Sequence, residues 1–494
     1  MSYQPNKPRP TGNRPPITFI HNLDADSLLV MFSFCRPVIL DESKVDNVQL
    51  IEGGEWTRER WWYRLIQVCR KWRYLVLDSA FHLQVSLVCT RGTPVAEMLA
   101  KSPPVPLIID HYDNDYLELT TEDEEGIILA LQRRDRVRRV RLLKPVPILQ
   151  KLINALDGNF PILEFLIIQH QRLHRPVIEH ETNLNFPETF RAPHVRQLLL
   201  RNFATPIDSP SLATMVNLVT LFLARIPFSA HIHPNALLQR LSLIPKLEIL
   251  WIGFNLSRDA ERKLLRIPIT TRVTLPILRQ LGYRGSSTHL EALLPWVTIP
   301  LLGKLQVYFY NRMTYSTPHL GQLMSTAKNL RLKAATFTFE GDCLWVTAYP
   351  DMEARLYAFS MELSGKPLDW QAVSAAQVFQ ARGTLLFAVE HLTLKYDRSN
   401  ISSEWNRQAD LSYWREFLGS FDKVKTLRVE DGLVEQVSRA LQPGEGDSES
   451  SADSELLPEL QELSYSAKTS SLNLFTPFVD ARQKAGRPVT VAHP

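Results

Sequence analysis

Apolar positions along the chain follow two patterns. From about residue 20 to residue 80 they recur with helical spacing. Ala25, Leu28, Leu29 and Phe32 stand at i, i+3, i+4 and i+7 within I-H-N-L-D-A-D-S-L-L-V-M-F-S-F (Ile20 to Phe34), one face of an amphipathic helix. Asp24 is placed to cap it, because a short carboxylate ahead of an apolar run accepts free amide protons of the first turn. In R-W-W-Y-R-L-I-Q-V-C-R-K-W-R-Y-L-V-L-D (Arg60 to Asp78), Trp62, Leu65, Ile66, Cys69, Trp72 and Val76 repeat the spacing, which puts Cys69 on a buried helical face. Trp61, Val68 and Leu75 widen the stripe beyond what one packing face needs. A small helical unit with that surplus has to bury it against the following domain or a separate protein. From Gln84 the period changes. Q-V-S-L-V-C-T (84–90) alternates as a strand, Thr93 to Lys101 reads as a short helix, and P-V-P-L-I-I-D-H-Y (104–112) as a buried strand. A helix at Thr121 to Arg133 and a strand at Val137 to Leu142 continue the alternation.

The first two stretches resemble the F-box family. A short helix of the form L-(P)-x-E-x-L-L-x-x-I-F, a spacer, and a helix of the form L-x-x-V-C-R-x-W-R are matched by Leu28, Leu29, Met31 and Phe32, then by Leu65, Val68, Cys69, Arg70, Trp72 and Arg73. Asp24 follows Leu23 where the family has proline, and about twenty-five residues (Arg36 to Arg60) form a longer spacer than usual. With Trp61-Trp62, the layout is most similar to the F-box families expanded in mushroom-forming fungi. The resemblance implies a three-helix module that docks on the adaptor subunit of a cullin-RING ubiquitin ligase, while the rest of the chain binds a substrate protein. It implies Leu28, Leu29, Phe32, Leu65, Val68 and Trp72 as the adaptor contact, some of them also holding the module together. The plainer reading makes both stretches core helices of an ordinary α/β domain.

Beyond residue 150 a motif P-x-L-x-x-L recurs. Copies stand at 161–166, 193–198, 217–221 (N-L-V-T-L), 245–250, 276–281 and 300–305, with degenerate ones at 389–394, 423–429 and 458–463. The steps are irregular, about 23 to 36 residues, with a larger gap after 305 that holds a strand candidate A-T-F-T-F at 335–339. Each proline is expected to open a short strand where no ladder partner needs its amide, with leucines three apart turned inward. Intervening segments such as 236–244 and 290–297 have helical spacing. One strand and one helix cannot bury both faces alone, so neighbouring units stack. The series resembles the irregular leucine-rich repeats; a doubly wound α/β sheet is the other arrangement that fits.

Composition changes the picture little. Hydrophobic residues at 45% and charged residues at 22% are ordinary globular values, and a net charge of +4 over 494 residues does not point to nucleic acid. The basic run at 133–141 is balanced by E-D-E-E at 122–125 and reads as a solvated strand with outward arginines around Val137, Val140 and Leu142. Cys35, Cys69, Cys89 and Cys343 include no C-x-x-C pair, hence neither a disulfide framework nor a zinc site, which suits a reducing compartment. The start M-S-Y-Q-P-N-K-P-R-P has no apolar signal core, and no apolar run reaches the roughly 20 residues of a membrane span. The expected location is cytoplasmic or nuclear.

Candidate chemistry is sparse. Phosphate-loop, G-x-S-x-G and H-E-x-x-H motifs are missing. His170, His174, Glu179, His180 and Glu181 come nearest to a metal set, but Pro176 breaks the helix their spacing would need. Aromatic residues gather at Tyr308, Phe309, Tyr310 and Tyr315 and at Trp405, Tyr413 and Trp414, as partner contacts or as core. An acidic, serine-rich stretch at 443–455 suits a mobile loop open to an acid-directed kinase.

The expected architecture is α/β: a disordered tail (1–16), a small three-helix F-box module (17–83), an irregular leucine-rich-repeat solenoid or horseshoe of strand–helix units (84–482), and a C-terminal tail (483–494). The expected function is that of a non-catalytic substrate receptor in an SCF-type ubiquitin ligase, without cofactor or metal, binding the adaptor and an unknown target but no nucleic acid or membrane. The alternatives are a leucine-rich scaffold without ubiquitin chemistry, and a hydrolase or transferase on an α/β sheet.

Overall fold

A computed structural model describes residues 23–37, 59–112, 119–170, 184–202, 207, 209–227, 232–255, 268–310, 317–364, 368–379, 388–397, 411–442, 456–466 and 474–492. The chain divides into two compact units, residues 1–110 with 117–138, and residues 111–116 with 139–494. The tail at 1–16, most of the spacer at 36–60 and the acidic stretch at 443–455 lie outside the described residues.

The first unit opens with helix α1 (Ala25–Phe34), whose N-cap Asp24 accepts the Ser27 amide at 2.7 Å as the sequence suggests. The stretch expected as one long helix divides into α2 (Tyr63–Ile66) and α3 (Arg70–Asp78). Cys69 causes the break. It is extended (φ −158°, ψ 170°), and its Sγ accepts the Trp72 amide as the N-cap of α3, so it is exposed, not packed on a buried face. Trp62 is buried and its Nε1 donates to the Ser86 carbonyl at 3.0 Å, while Arg60 reaches the Val88 carbonyl at 3.2 Å. These bonds hold the segment after residue 83 to the helices. Strands β1 (Leu87–Cys89) and β2 (Leu107–His111) pair in parallel around α4 (Val95–Lys101). Helix α5 (Thr121–Leu131) begins at Thr120, whose hydroxyl accepts the Asp123 amide. The acidic run is therefore its first turn, where carboxylates complement the helix dipole.

The second unit is a long, mainly parallel sheet with helices in the crossovers. Its strands are β3 (Val137–Lys144), β4 (Phe165–His170), β5 (Gln197–Arg201), β6 (Thr220–Ile226) and β7 (Ile249–Phe254), then β8 (Val273–Thr274), β9 (Gln280–Gly285), β10 (Val297–Thr298) and β11 (Lys304–Phe309). It continues through β12 (Ala334–Phe339), β13 (Cys343–Tyr349), β14 (Phe359–Ser364), β15 (His391–Tyr396), β16 (Thr426–Val429), β17 (Glu462–Tyr465) and β18 (Thr490–Ala492). The order is β3-β4-β5-β6-β7-β9-β11-β14-β13-β12-β15-β16-β17-β18, with β8 and β10 forming a separate pair. Register runs Arg139, Phe165, Gln197, Thr220, Ile249, Gln280, Lys304 across successive strands. This nearest-neighbour order excludes the doubly wound alternative, in which strand order reverses about a switch point.

The motif P-x-L-x-x-L acts differently from expectation. Each proline stands in a turn ahead of its strand, as Pro161 does before Phe165, Pro193 before Gln197 and Pro245 before Ile249. Its fixed φ suits the turn, and the strand needs no proline. The residue two places on is buried in every copy (Leu163, Val195, Leu218, Leu247, Leu278, Leu302, Val389, Val424, Leu460), and the final leucine is the first inward residue of the strand.

The gap after 305 holds a meander. β12 matches the predicted A-T-F-T-F; β13 and β14 were not foreseen. β13 runs antiparallel to both neighbours, so β14 returns beside β11 while β12 faces β15. The signal was the alternation in C-L-W-V-T-A-Y, whose buried positions fall on every second residue from Leu344. At the C-terminus, where a tail was expected from 483, β18 pairs with β17 and extends the sheet. Helix α14 (Thr476–Lys484) precedes it, with buried Arg482 donating to the Pro458 and Leu460 carbonyls.

Leu247→Ala should cost about 2–5 kcal/mol by leaving a cavity at the base of a coil. Pro245→Ala should cost no more than about 1 kcal/mol, because it loses only turn preorganisation. Urea unfolding of both variants separates the two roles; equal losses would contradict this division.

Candidate functional site

The sheet of the second unit has two chemically different faces. Residues such as Leu166, Ile168, Leu198, Leu200, Leu250 and Ile252 point to the helix side and are buried. On β12 this face meets helix α12 (Leu411–Leu418), with Phe337 against Phe417 at 5.0 Å and Phe339 against Trp414 at 5.3 Å. The opposite face carries aromatic and charged side chains in register.

An aromatic row crosses that second face. Phe222 stacks on Trp251 (5.3 Å, 9°), Trp251 meets Tyr308 at 5.5 Å, and Tyr308 meets Trp345 edge-on at 5.9 Å. The row depends on Gly282, the register partner of Trp251. A Cβ there would come within 1.8 Å of the indole, so the ring lies flat on bare backbone. Beside the row, Gln280 donates to Gln306 at 3.2 Å and Gln306 to the Tyr357 hydroxyl at 2.8 Å, while Lys304 lies over the Tyr357 ring at 4.7 Å. Arg284 lies over Tyr310 at 5.2 Å, and the Tyr310 hydroxyl donates to the Phe254 carbonyl at 2.6 Å.

Glu362 of β14 is the register partner of Tyr308 on one side and of Trp345 on the other. Burial pushes its carboxyl up, Arg284 pulls it down, and Glu340 and Asp342 push it up further. Burial also raises the Tyr308 and Tyr310 hydroxyls. Glu340, Asp342 and Cys343 gather at the β12–β13 turn, their ligand atoms within 4.8 Å of one another. There the Cys343 thiol donates to Glu340 at 3.3 Å and is held far above its ordinary range by burial and by these acids. A thiol so firmly protonated is a poor nucleophile.

The basic run also departs from expectation. Arg139 and Arg141 of β3 are buried, their guanidinium groups over Phe165 (4.5 Å) and Tyr112 (5.1 Å). Stacking on aromatic faces replaces the solvent they were expected to meet. Of the aromatic clusters, Tyr308 and Tyr310 stand at this face, Phe309 and Trp414 are core, and Tyr413 is exposed. Tyr315 and Trp405 lie outside the described residues, as do His174, Glu179, His180 and Glu181 of the rejected metal set.

In the first unit the six residues expected at an adaptor contact separate. Leu28 and Phe32 are buried, at 0% and 1% exposure, and the Phe32 ring meets Trp72 edge-on at 4.7 Å. Leu29, Leu65 and Trp72 are half-buried, and Val68 is exposed. The large apolar side chains facing outward are Val30, Met31, Phe34, Val68, Tyr74 and Phe81, with Phe34 at 83% and Phe81 at 95% exposure. Val30, Met31 and Phe34 lie off the apolar stripe of α1, and Tyr74 and Phe81 follow the break at Cys69, which re-aims the side chains after it.

No family model matches the chain, and no curated protein does. Seventeen chains of solved structures match it. One is the leucine-rich repeat-containing protein LegL7 from Legionella pneumophila, at 11% identity and a TM-score of 0.25, covering 82% of this chain and 98% of that one. No helix among the described residues is long and apolar enough to cross a membrane.

Gly282→Ala should destabilise the protein by about 1–3 kcal/mol, because the indole must leave its seat. A lower urea midpoint at unchanged slope is expected; an unchanged midpoint would mean the aromatic row is not seated on Gly282. Glu362 binds its proton more tightly folded than unfolded. Stability should therefore fall as pH rises from the ordinary carboxylate range through the folded value. Glu362→Gln should remove that part of the fall, as read by thermal melting across the acidic range.

Proposed function

We propose that the second unit is a leucine-rich-repeat-like scaffold that holds a target protein, and that the first unit ties it to the adaptor of a cullin-RING ubiquitin ligase. The chain then acts as a substrate receptor without catalysis of its own. It supplies proximity, raising the effective concentration of a target lysine near the charged ubiquitin carrier. One observation carries the adaptor half of this reading: Phe34, Val68, Tyr74 and Phe81 stay in water around a core of Leu28, Phe32 and Val76. A small unit gains nothing from exposing so many large apolar groups unless a partner covers them. The F-box resemblance supports the same partner. The target half rests on the aromatic and charged sheet face, because such groups dominate binding energy at protein interfaces.

A scaffold without ubiquitin chemistry is the second reading, favoured by the strand–helix array taken alone. Co-expression with an adaptor of the cullin-RING class, followed by size exclusion, separates the two. Wild type should elute as a one-to-one complex. Phe34→Asp with Tyr74→Asp should lose it, with affinity at least 100-fold lower and an unchanged melting temperature, because neither residue is in the core. Leu28→Asp is the contrasting variant and should unfold the unit. Folded wild type that ignores the adaptor leaves the scaffold reading standing.

A further inference from the structure

A cavity of about 560 Å³ opens on the second unit, away from the aromatic row. Its apolar wall is Pro234, Pro268, Ile269, Ala292, Pro295, Pro318 and Trp296; its polar groups are Thr288, Glu291, His233 and His319. Three helices meet there: α8 (Pro234–Ser242), α9 (Ser287–Leu293) and α10 (Pro318–Thr326). The volume lies in the range of small-ligand pockets.

Glu291 decides the chemistry. It is half-buried, and its two oxygens accept the His319 and Leu320 amides, each at 2.9 Å. These bonds fix the carboxylate at the start of α10 and leave it further lone pairs. No lysine or arginine among the described residues pairs with it. The two amides and the start of α10 balance part of the charge, and a cation entering the cavity would take up the remaining lone pairs. Burial pushes this carboxyl up while the two amides and His319 pull it back. Trp296 adds an aromatic wall, with the Arg272 guanidinium 5.7 Å from its ring centroid. On His233, Nδ1 accepts the Asn235 amide at 3.0 Å, and Nε2 is enclosed without a hydrogen-bond partner among the described residues.

We propose that this cavity binds a basic group, an alkylammonium or guanidinium, presented by a small amine or by a lysine or arginine side chain of a bound protein. An anion is disfavoured, because Glu291 would repel it from the floor of the site. The proposal stands apart from the ubiquitin-ligase reading, since it involves neither the first unit nor the aromatic row.

Calorimetric titration of the full chain with agmatine, n-butylamine and n-butanol tests it. Both amines should bind saturably in the millimolar range, and the uncharged alcohol at least tenfold more weakly. Glu291→Gln should weaken agmatine at least tenfold. Since Glu291 also caps α10, Trp296→Leu serves as a second variant and should weaken it several-fold without touching the cap. A capped glycine–lysine–glycine peptide separates the sources. Binding at least as tight as butylamine assigns the site to a partner's side chain, and binding by free amines only assigns it to a small molecule. Absence of saturable amine binding to wild type, equal binding of alcohol and amine, or undiminished binding by a folded Glu291→Gln would overturn the proposal.

Discussion

A single carbonyl oxygen in each coil holds the array in register. The Glu164 carbonyl accepts the Arg196 and Gln197 amides at 2.8 and 3.1 Å, and the Arg196 carbonyl accepts those of Val219 and Thr220 at 2.8 and 2.9 Å. The series continues from Val219 to Glu248 and Ile249, from Glu248 to Arg279 and Gln280, and from Arg279 to Gly303 and Lys304. It resumes beyond the meander through Lys333, Glu390 and Lys425. Using both lone pairs of one oxygen lets each coil begin its strand at the same height as the last, whatever the length of the crossover. The buried residue just before it, Leu163 in one coil and Leu247 in another, anchors that oxygen from below. Irregular spacing is then tolerated, because crossovers add loop length at slight entropic cost while the strand entry stays fixed.

The meander is where this regularity is put to use. Reversing β13 sets Trp345 beside Glu362 and brings β14 next to β11, so Tyr308 gains an aromatic neighbour and an acidic one at once. A further parallel coil would have needed another crossover there. The hairpin instead places Glu340, Asp342 and Cys343 together at one end of the sheet. The concentration of perturbed carboxyl, phenol and thiol groups at this point follows from topology more than from any one residue.

In the first unit apolar residues divide between two duties. Phe32 and Trp72 close the small core, and Phe34, Val68 and Tyr74 remain outside it. A continuous helix would have kept Leu65, Val68 and Trp72 on one stripe. Two short helices send them in different directions, so the unit buries some of its apolar residues and leaves others exposed.

The sequence by itself determined the alternation of strand and helix, the N-cap at Asp24 and most of the coil positions. Each of these is local: a hydrophobic period of two or 3.6, or a side chain that bonds an amide three residues on. It named Leu28, Leu29, Phe32, Leu65, Val68 and Trp72 as an expected adaptor contact, without sorting core from surface. Only the tertiary structure decided that sorting, the reversed β13, the burial of Arg139 and Arg141 against rings, and the last strand at Thr490–Ala492. It alone placed Trp251 on Gly282 and left Glu291 without a cation. Each depends on which distant segment becomes a neighbour, and no period along the chain encodes that.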